Sequence, residues 1–139
     1  MANQKLAQHL ANPNIKAFLK MIQWCESAGY RTLVYKGANN TYIKDLSRHP
    51  NIRVQGPYGE STAAGAYQFL YSTWKESLST TGCTTFSETD QDVGAVYLLT
   101  RRNSLQLVLD GKVYSAINNC AWEWASFPSL ESGEKMVKH

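Results

Sequence analysis

Asn12-Pro-Asn-Ile-Lys-Ala-Phe-Leu-Lys-Met-Ile-Gln-Trp-Cys-Glu-Ser27 is the stretch from which the rest of the chain is read. Asn12 is placed to cap a helix with its side-chain oxygen, and Pro13 falls at the first helical position, where a missing N–H does no harm. Ile15, Phe18, Leu19 and Ile22 recur at helical spacing, with Lys16, Lys20 and Gln23 on the other side. Continued at about 100° per residue, the wheel carries Glu26 into the apolar stripe. Burial disfavours an ionised carboxylate, so a glutamate there has a raised pKa. The alternative is that the helix has ended by Ser27 and Glu26 turns into solvent. Periodicity by itself leaves both open.

Upstream, Leu6 and Leu10 share one side of a short helix within residues 2–11. Downstream, the helix is predicted to stop near Ala28-Gly29, glycine being suited to a C-cap. The character then changes. Thr32-Leu-Val-Tyr35 and Thr41-Tyr-Ile43 are β-prone runs around Lys36-Gly-Ala-Asn-Asn40, a hairpin signal. Asn51-Ile-Arg-Val54 adds a third strand before the breaker Gly56-Pro57-Tyr58-Gly59. Helical signals return at Ser61 or Thr62, read as the cap of a helix that presents Tyr67, Leu70, Tyr71, Trp74 and Leu78 on one face and stops at Gly82. Ser87 and Asp90 open another in a capping-box-like arrangement, with Val93, Val96, Tyr97 and Thr100 facing inward. A short helical piece runs from Ser104 to Leu109, and a last helix carries Val113, Ile117, Cys120, Ala121 and Trp124 at core spacing before Pro128. The pattern predicts an α+β chain, mostly helical with a small N-terminal antiparallel β-lobe. A cleft is expected where the first helix brings Glu26 to the junction.

The 139 residues suit one domain with its own core, and 43% hydrophobic with 18% charged residues are the proportions of a globular chain. The net charge of +3 comes without a basic block, which argues against nucleic acid and only favours approach to an anionic polymer such as a bacterial wall. The three cysteines, Cys25, Cys83 and Cys120, lack disulfide-framework or zinc spacing, and reduced thiols are expected. His9, His49 and His139 lack ligand spacing, so neither metal nor cofactor is expected. The N-terminus has no signal-peptide core and no run is long enough to span a membrane. A target outside the membrane therefore implies release through a separate membrane-permeabilising protein.

Two patches can carry chemistry. One is Glu26 with Ser27. The other is Ser61-Thr-Ala-Ala-Gly-Ala-Tyr-Gln68, whose small residues allow close backbone approach of a ligand. Ser61, Thr62 and Gln68 supply hydrogen-bonding groups there, and Tyr67 an apolar face for a sugar ring. Gly and Ala also serve ordinary helix packing, so this run is weak by itself. Cys25 with His49 imitates a Cys-His peptidase, but Cys25 sits at core spacing and reads as an inert buried thiol. Trp24 and Trp122 fall off the apolar faces of their helices and are expected to pack on neighbouring helices, sugar stacking being the rival role.

The chain resembles the lysozyme (endolysin) family of bacteriophage lambda. The resemblance rests on Ala17-Phe18-Leu19, Met21-Ile22, Trp24-Cys25-Glu26-Ser27, Ser47-Arg-His-Pro50 and, most specifically, Ser61-Thr-Ala-Ala-Gly-Ala-Tyr-Gln-Phe-Leu70. It continues through Trp74, Phe86-Ser87, Gln91-Asp92, Ala116-Ile117, Cys120 and Trp124-Ala-Ser-Phe-Pro128. Residues 1–12 read as an extension and 129–139 as a short divergent tail, where relatives continue with a Gly-rich loop. The resemblance implies a lysozyme-like fold, a monomer acting on peptidoglycan glycan strands, and lytic transglycosylase activity. On that resemblance Glu26 is the single catalytic glutamate, and Ser27, Ser61, Thr62, Tyr67 and Gln68 line the groove. A hydrolytic muramidase needs a second carboxylate. Residues 28–42 contain none, and Asp45 and Glu60 read better as a turn residue and a charge before a helix cap. An inactive peptidoglycan-binding module is the rival of another class.

Overall fold

A computed structural model describes residues 2–33, 42–56, 59–129 and 137–138, with side chains up to residue 127. The order is α1 (Gln4–Ala7), a 3₁₀ turn (Gln8–Ala11), α2 (Pro13–Glu26), β1 (Val54–Gly56), β2 (Gly59–Ser61), α3 (Tyr71–Thr81), α4 (Glu88–Arg101), α5 (Leu105–Leu109), α6 (Val113–Cys120), β3 (Pro128–Ser129) and β4 (Val137–Lys138). The fold class is the α+β arrangement read from sequence. Among the described residues no helix is long and apolar enough to cross a membrane.

α2 begins as its sequence dictates: Asn12 Oδ1 accepts the N–H groups of Asn14 and Ile15, with Pro13 at the first turn. Ile15, Phe18, Leu19 and Ile22 are buried. Its end differs from expectation. The left-handed cap is Ser27 (φ 52°, ψ 44°), not Gly29, and the Ser27 and Ala28 N–H groups close back on Gln23. The helix stops two residues early because Ser27 itself takes the left-handed turn.

α4 is the central helix. Val93, Gly94, Ala95, Val96, Leu98 and Leu99 are all buried, whereas Thr100, expected inside, is exposed. The expected Ser87 cap is present, its side chain accepting the Asp90 N–H. At Gly94 a methyl group would meet Trp74 Cζ3 at 2.6 Å and Phe69 Cζ at 2.9 Å, so the missing side chain is what lets the aromatic cluster of Phe69, Trp74 and Phe86 close onto this helix. Val113, at the start of α6, is also exposed, while Ala116 and Cys120 carry that helix's buried face. Trp124 lies beyond the end of α6 yet is buried.

The β-lobe is smaller and paired differently than expected. Thr32 bridges Tyr42 in antiparallel sense, consistent with the first hairpin, whose turn at 36–40 lies outside the described residues. The third strand is Val54–Gly56, and its partner is Gly59–Ser61, in the register Val54↔Ser61, Gln55↔Glu60, Gly56↔Gly59. Ser61 therefore ends a strand and opens no helix. From 62 to 70 the chain makes a loop in which Ala64 and Phe69 exchange both backbone hydrogen bonds. Gly65 (φ 83°) and Gln68 (φ 52°) take left-handed conformations that no helix continues through. α3 starts only at Tyr71, and Thr62 caps it from a distance, its Oγ1 accepting the Tyr71 N–H at 2.9 Å. Gly82 terminates α3 as read (φ 66°).

Candidate active site

Glu26 is the last residue of α2, and its carboxyl is half-buried. The Ser126 hydroxyl donates a hydrogen bond to Glu26 Oε2. Withdrawal from water raises the Glu26 pKa above the ordinary carboxylate range, and the Ser126 hydroxyl and backbone N–H, both favouring the ionised form, offset part of the rise. The outcome lies between the two alternatives: the helix has ended by Ser27, yet Glu26 is half-buried and not turned fully into solvent.

Ser126 arrives from 100 residues away on the turn that follows α6. Three anchors hold that turn. Trp124 Nε1 donates to the Tyr67 carbonyl at 3.0 Å. Phe127 meets Phe18 of α2 edge-on, ring centroids 6.0 Å apart. The Glu123 carboxylate, 7% exposed, accepts from Arg101 Nε at 2.7 Å and Arg102 Nε at 3.0 Å at the end of α4. A charge so nearly buried is tolerable because both guanidinium groups reach it.

One face of α2, built from Lys20, Gln23, Trp24 and Ser27 at helical spacing, lines an open cleft of about 740 Å³ together with Cys25, the Ala28-Gly29 turn and Ser126. Glu26 is not in the lining itself; it reaches the cleft through Ser126, its hydrogen-bond partner in the wall. Two expectations change here. Trp24 is 82% exposed and Trp122 68% exposed, so neither is buried in a helix interface as expected. Cys25 is half-buried in the cleft wall, packed against the edge of the core and not fully inside it, because it lies in the last turn of α2 beside the cleft.

The other residues named from sequence divide. Ser27 lies in the cleft wall beside Glu26. Ser61 and Thr62 line a separate cavity of about 280 Å³ with Asn51, Arg53 and Glu60, which among the described residues shares no lining residue with the cleft near Glu26. Both are engaged with backbone: Ser61 Oγ accepts the Ala63 N–H and Thr62 caps α3. Tyr67 is 1% exposed, packed edge-on against Tyr30 and Phe69, so its ring offers no face to a sugar. Interior packing wins because the loop folds inward at Gly65. Gln68 donates its amide to the Thr32 and Gly65 carbonyls and thereby pins the loop to the β-lobe. Tyr67 and Gln68 thus build the support of the site.

That support includes residues singled out in the sequence only through the family resemblance, or not at all. Asp92 Oδ1 accepts from the Tyr67 hydroxyl at 2.5 Å and from the Tyr30 hydroxyl at 2.8 Å, while Gln23 of α2 donates to Tyr67 Oη at 3.0 Å. Burial raises the Asp92 pKa, and the two phenols offset part of that rise. The Tyr30 hydroxyl is pushed up to about 12, by burial first and then by Asp92. Buried Gln91 accepts the Ala66 N–H and donates to the Tyr30 and Phe86 carbonyls. One signal was present: Asp92 stands four residues before Val96, on the inner face of α4. Ser126 carried none, since no periodicity ties it to α2.

His49 is buried, with Nδ1 accepting the Asn51 N–H and Nε2 donating to the Phe69 carbonyl. Both nitrogens are committed to backbone, which removes the base that a Cys25–His49 peptidase needs.

The family model for Endolysin matches residues 16–139, past the Pro128 at which the resemblance read from sequence stops. The endolysin of Escherichia phage P2 is 29% identical over 138 residues, covering 88% of this chain and 84% of that protein. Among solved structures, bacteriophage lambda lysozyme complexed with a chitohexasaccharide superposes with a TM-score of 0.77 at 30% identity, covering 90% of this chain and 86% of the other. A second structure of bacteriophage lambda lysozyme gives a TM-score of 0.78 at 28% identity, covering 87% and 83%. The chain belongs to the endolysin family, enzymes of lysozyme fold that degrade peptidoglycan.

Proposed function

We propose that this chain cleaves the glycosidic bond between N-acetylmuramic acid and N-acetylglucosamine by intramolecular transglycosylation, with Glu26 as acid and then base. The observation that carries the reading is a half-buried glutamate of raised pKa, bonded to Ser126, to which no second carboxylate contributes among the described residues. The similarity to lambda lysozyme, complexed with a chitohexasaccharide, supports a glycan as the substrate. Protonated Glu26 donates to the glycosidic oxygen as the bond breaks. The C6 hydroxyl of the same sugar attacks the oxocarbenium-like carbon, and ionised Glu26 takes its proton. A 1,6-anhydro end forms and no water is consumed. The internal nucleophile has the advantage of a positioned reactant, and the raised pKa lets one group serve in both steps near neutral pH.

Asp45, the acid a hydrolytic muramidase would recruit, is exposed, with Oδ1 accepting the Ser47 N–H at 2.9 Å. That bond holds its carboxyl below the usual carboxylate range. This supports a turn role over a catalytic one. We read the chain as a monomer that reaches the wall after a separate protein permeabilises the membrane. Digestion of purified sacculi followed by mass spectrometry is the test. Anhydro ends are expected, and Glu26→Gln abolishes them with the fold intact. Reducing ends would replace this mechanism by hydrolysis, new amines would indicate a peptidase, and no product from the wild type would leave a binding module.

A further inference from the structure

Trp24 is 82% exposed, and the acid–base reading above gives it no task. It shares one face of α2 with Lys20, one turn earlier, and with Gln23 and Ser27, and this face is a wall of the cleft that also contains Ser126. The indole is a broad apolar plate set among polar neighbours. That combination suits the C–H face of a pyranose ring, whose hydroxyl and acetamido groups meet the polar rim. Gln23 is held in place by the bond its Nε2 donates to Tyr67 Oη, and it lines the same cleft. Lys20 is exposed and forms no ion pair among the described residues. Its charge is felt weakly at Asp92, whose carboxylate Tyr30 and Tyr67 already bond. A lysine four residues before the tryptophan stands one turn away on the same face, within reach of a substituent on a ring stacked against the indole.

From this juxtaposition we propose that the Lys20–Trp24 face is a subsite for a sugar that bears a carboxylate substituent, the muramyl unit with its stem peptide. The indole lies under the ring and Lys20 pairs with a peptide carboxylate. The proposal rests on the reading that peptidoglycan is the substrate. It makes this chain a reader of peptide-bearing strands, not of plain amino-sugar polymer.

The test uses the Glu26→Gln chain, so that binding is measured without turnover, by co-sedimentation with intact sacculi and with chitin particles, a plain N-acetylglucosamine polymer that carries no carboxylate. An exposed charge pair gives about a fivefold preference for the peptide-bearing material at low salt. Adding Lys20→Glu is expected to bring the ratio below one and to reverse its salt dependence, since salt now relieves a repulsion. Adding Trp24→Ala is expected to weaken binding to both materials about tenfold. A preference that survives Lys20→Glu, or binding indifferent to Trp24→Ala, overturns the subsite. Failure of the catalytic reading shows elsewhere, in the products of the wild-type chain, so the two failures are distinguishable.

Discussion

Ser27 holds a left-handed conformation (φ 52°) immediately after Glu26, where glycine would rest without strain. Ser27→Gly is expected to stabilise the chain by about 0.5–1 kcal/mol, the relieved strain exceeding the added freedom of the unfolded chain. A urea midpoint that rises with an unchanged slope checks this. Ser126 acts on Glu26 in the opposite sense to burial. Its hydroxyl favours the ionised carboxylate, so Ser126→Ala raises the Glu26 pKa further. Protonated Glu26 is needed for the first step, and the alkaline limb of the activity profile is therefore expected to move to higher pH. A limb that stays in place, measured as turbidity loss against pH, would separate Ser126 from the working carboxyl.

At the scale of elements, the loop between β2 and α3 joins the β-lobe to the helical body, and two residues in it bear the load. A methyl group at Gly65 would run into the Gln91 amide and the Phe86 ring, at a φ of 83° that suits only glycine. Gly65→Ala is expected to destabilise by about 3 kcal/mol, the sum of backbone strain and overpacking. The urea midpoint reads it, and a loss below about 1 kcal/mol would mean that Gln91 simply moves aside. Tyr67→Phe removes a donor from Asp92 and an acceptor from Gln23 in one step. The expected loss is about 1.5–3 kcal/mol, as for hydrogen bonds to a charged group. A neutral result would show that the α2–α4 clamp contributes little. The misread helix start at Ser61 has its origin here. A run of small residues followed by Tyr67 and Leu70 has helical spacing, but Gly65 is drawn into its turn by the polar cavity that Gln91 occupies. That partner is 26 positions further along the chain and invisible to any local window.

For the whole molecule, two half-buried acids of raised pKa, Glu26 and Asp92, set a direction for pH dependence. A group whose folded pKa exceeds its unfolded value contributes stability that is complete below the unfolded pKa and is lost as pH rises through the folded one. Stability is therefore expected to decline as pH rises above the ordinary carboxylate range, more steeply in the wild type than in Glu26→Gln/Asp92→Asn. Denaturant midpoints across that rise measure it, and parallel profiles would remove these two acids as the cause. The α2 stripe, the Asn12 cap, the Ser87 cap, the Gly82 stop and the presence of a mostly helical chain with a small β-lobe were determined by the sequence itself. Each depends on residues within a turn or two, where backbone geometry and side-chain spacing act together. The position of Glu26 on the stripe was legible for the same reason. Only the tertiary structure decided that Ser126 holds its carboxyl, that Tyr67 and Asp92 lie beneath the site, that Ser61 and Thr62 face another cavity, and that Trp24 stands open in the cleft. Those outcomes depend on which distant segments exclude water from which surface, and local pattern carries no record of that.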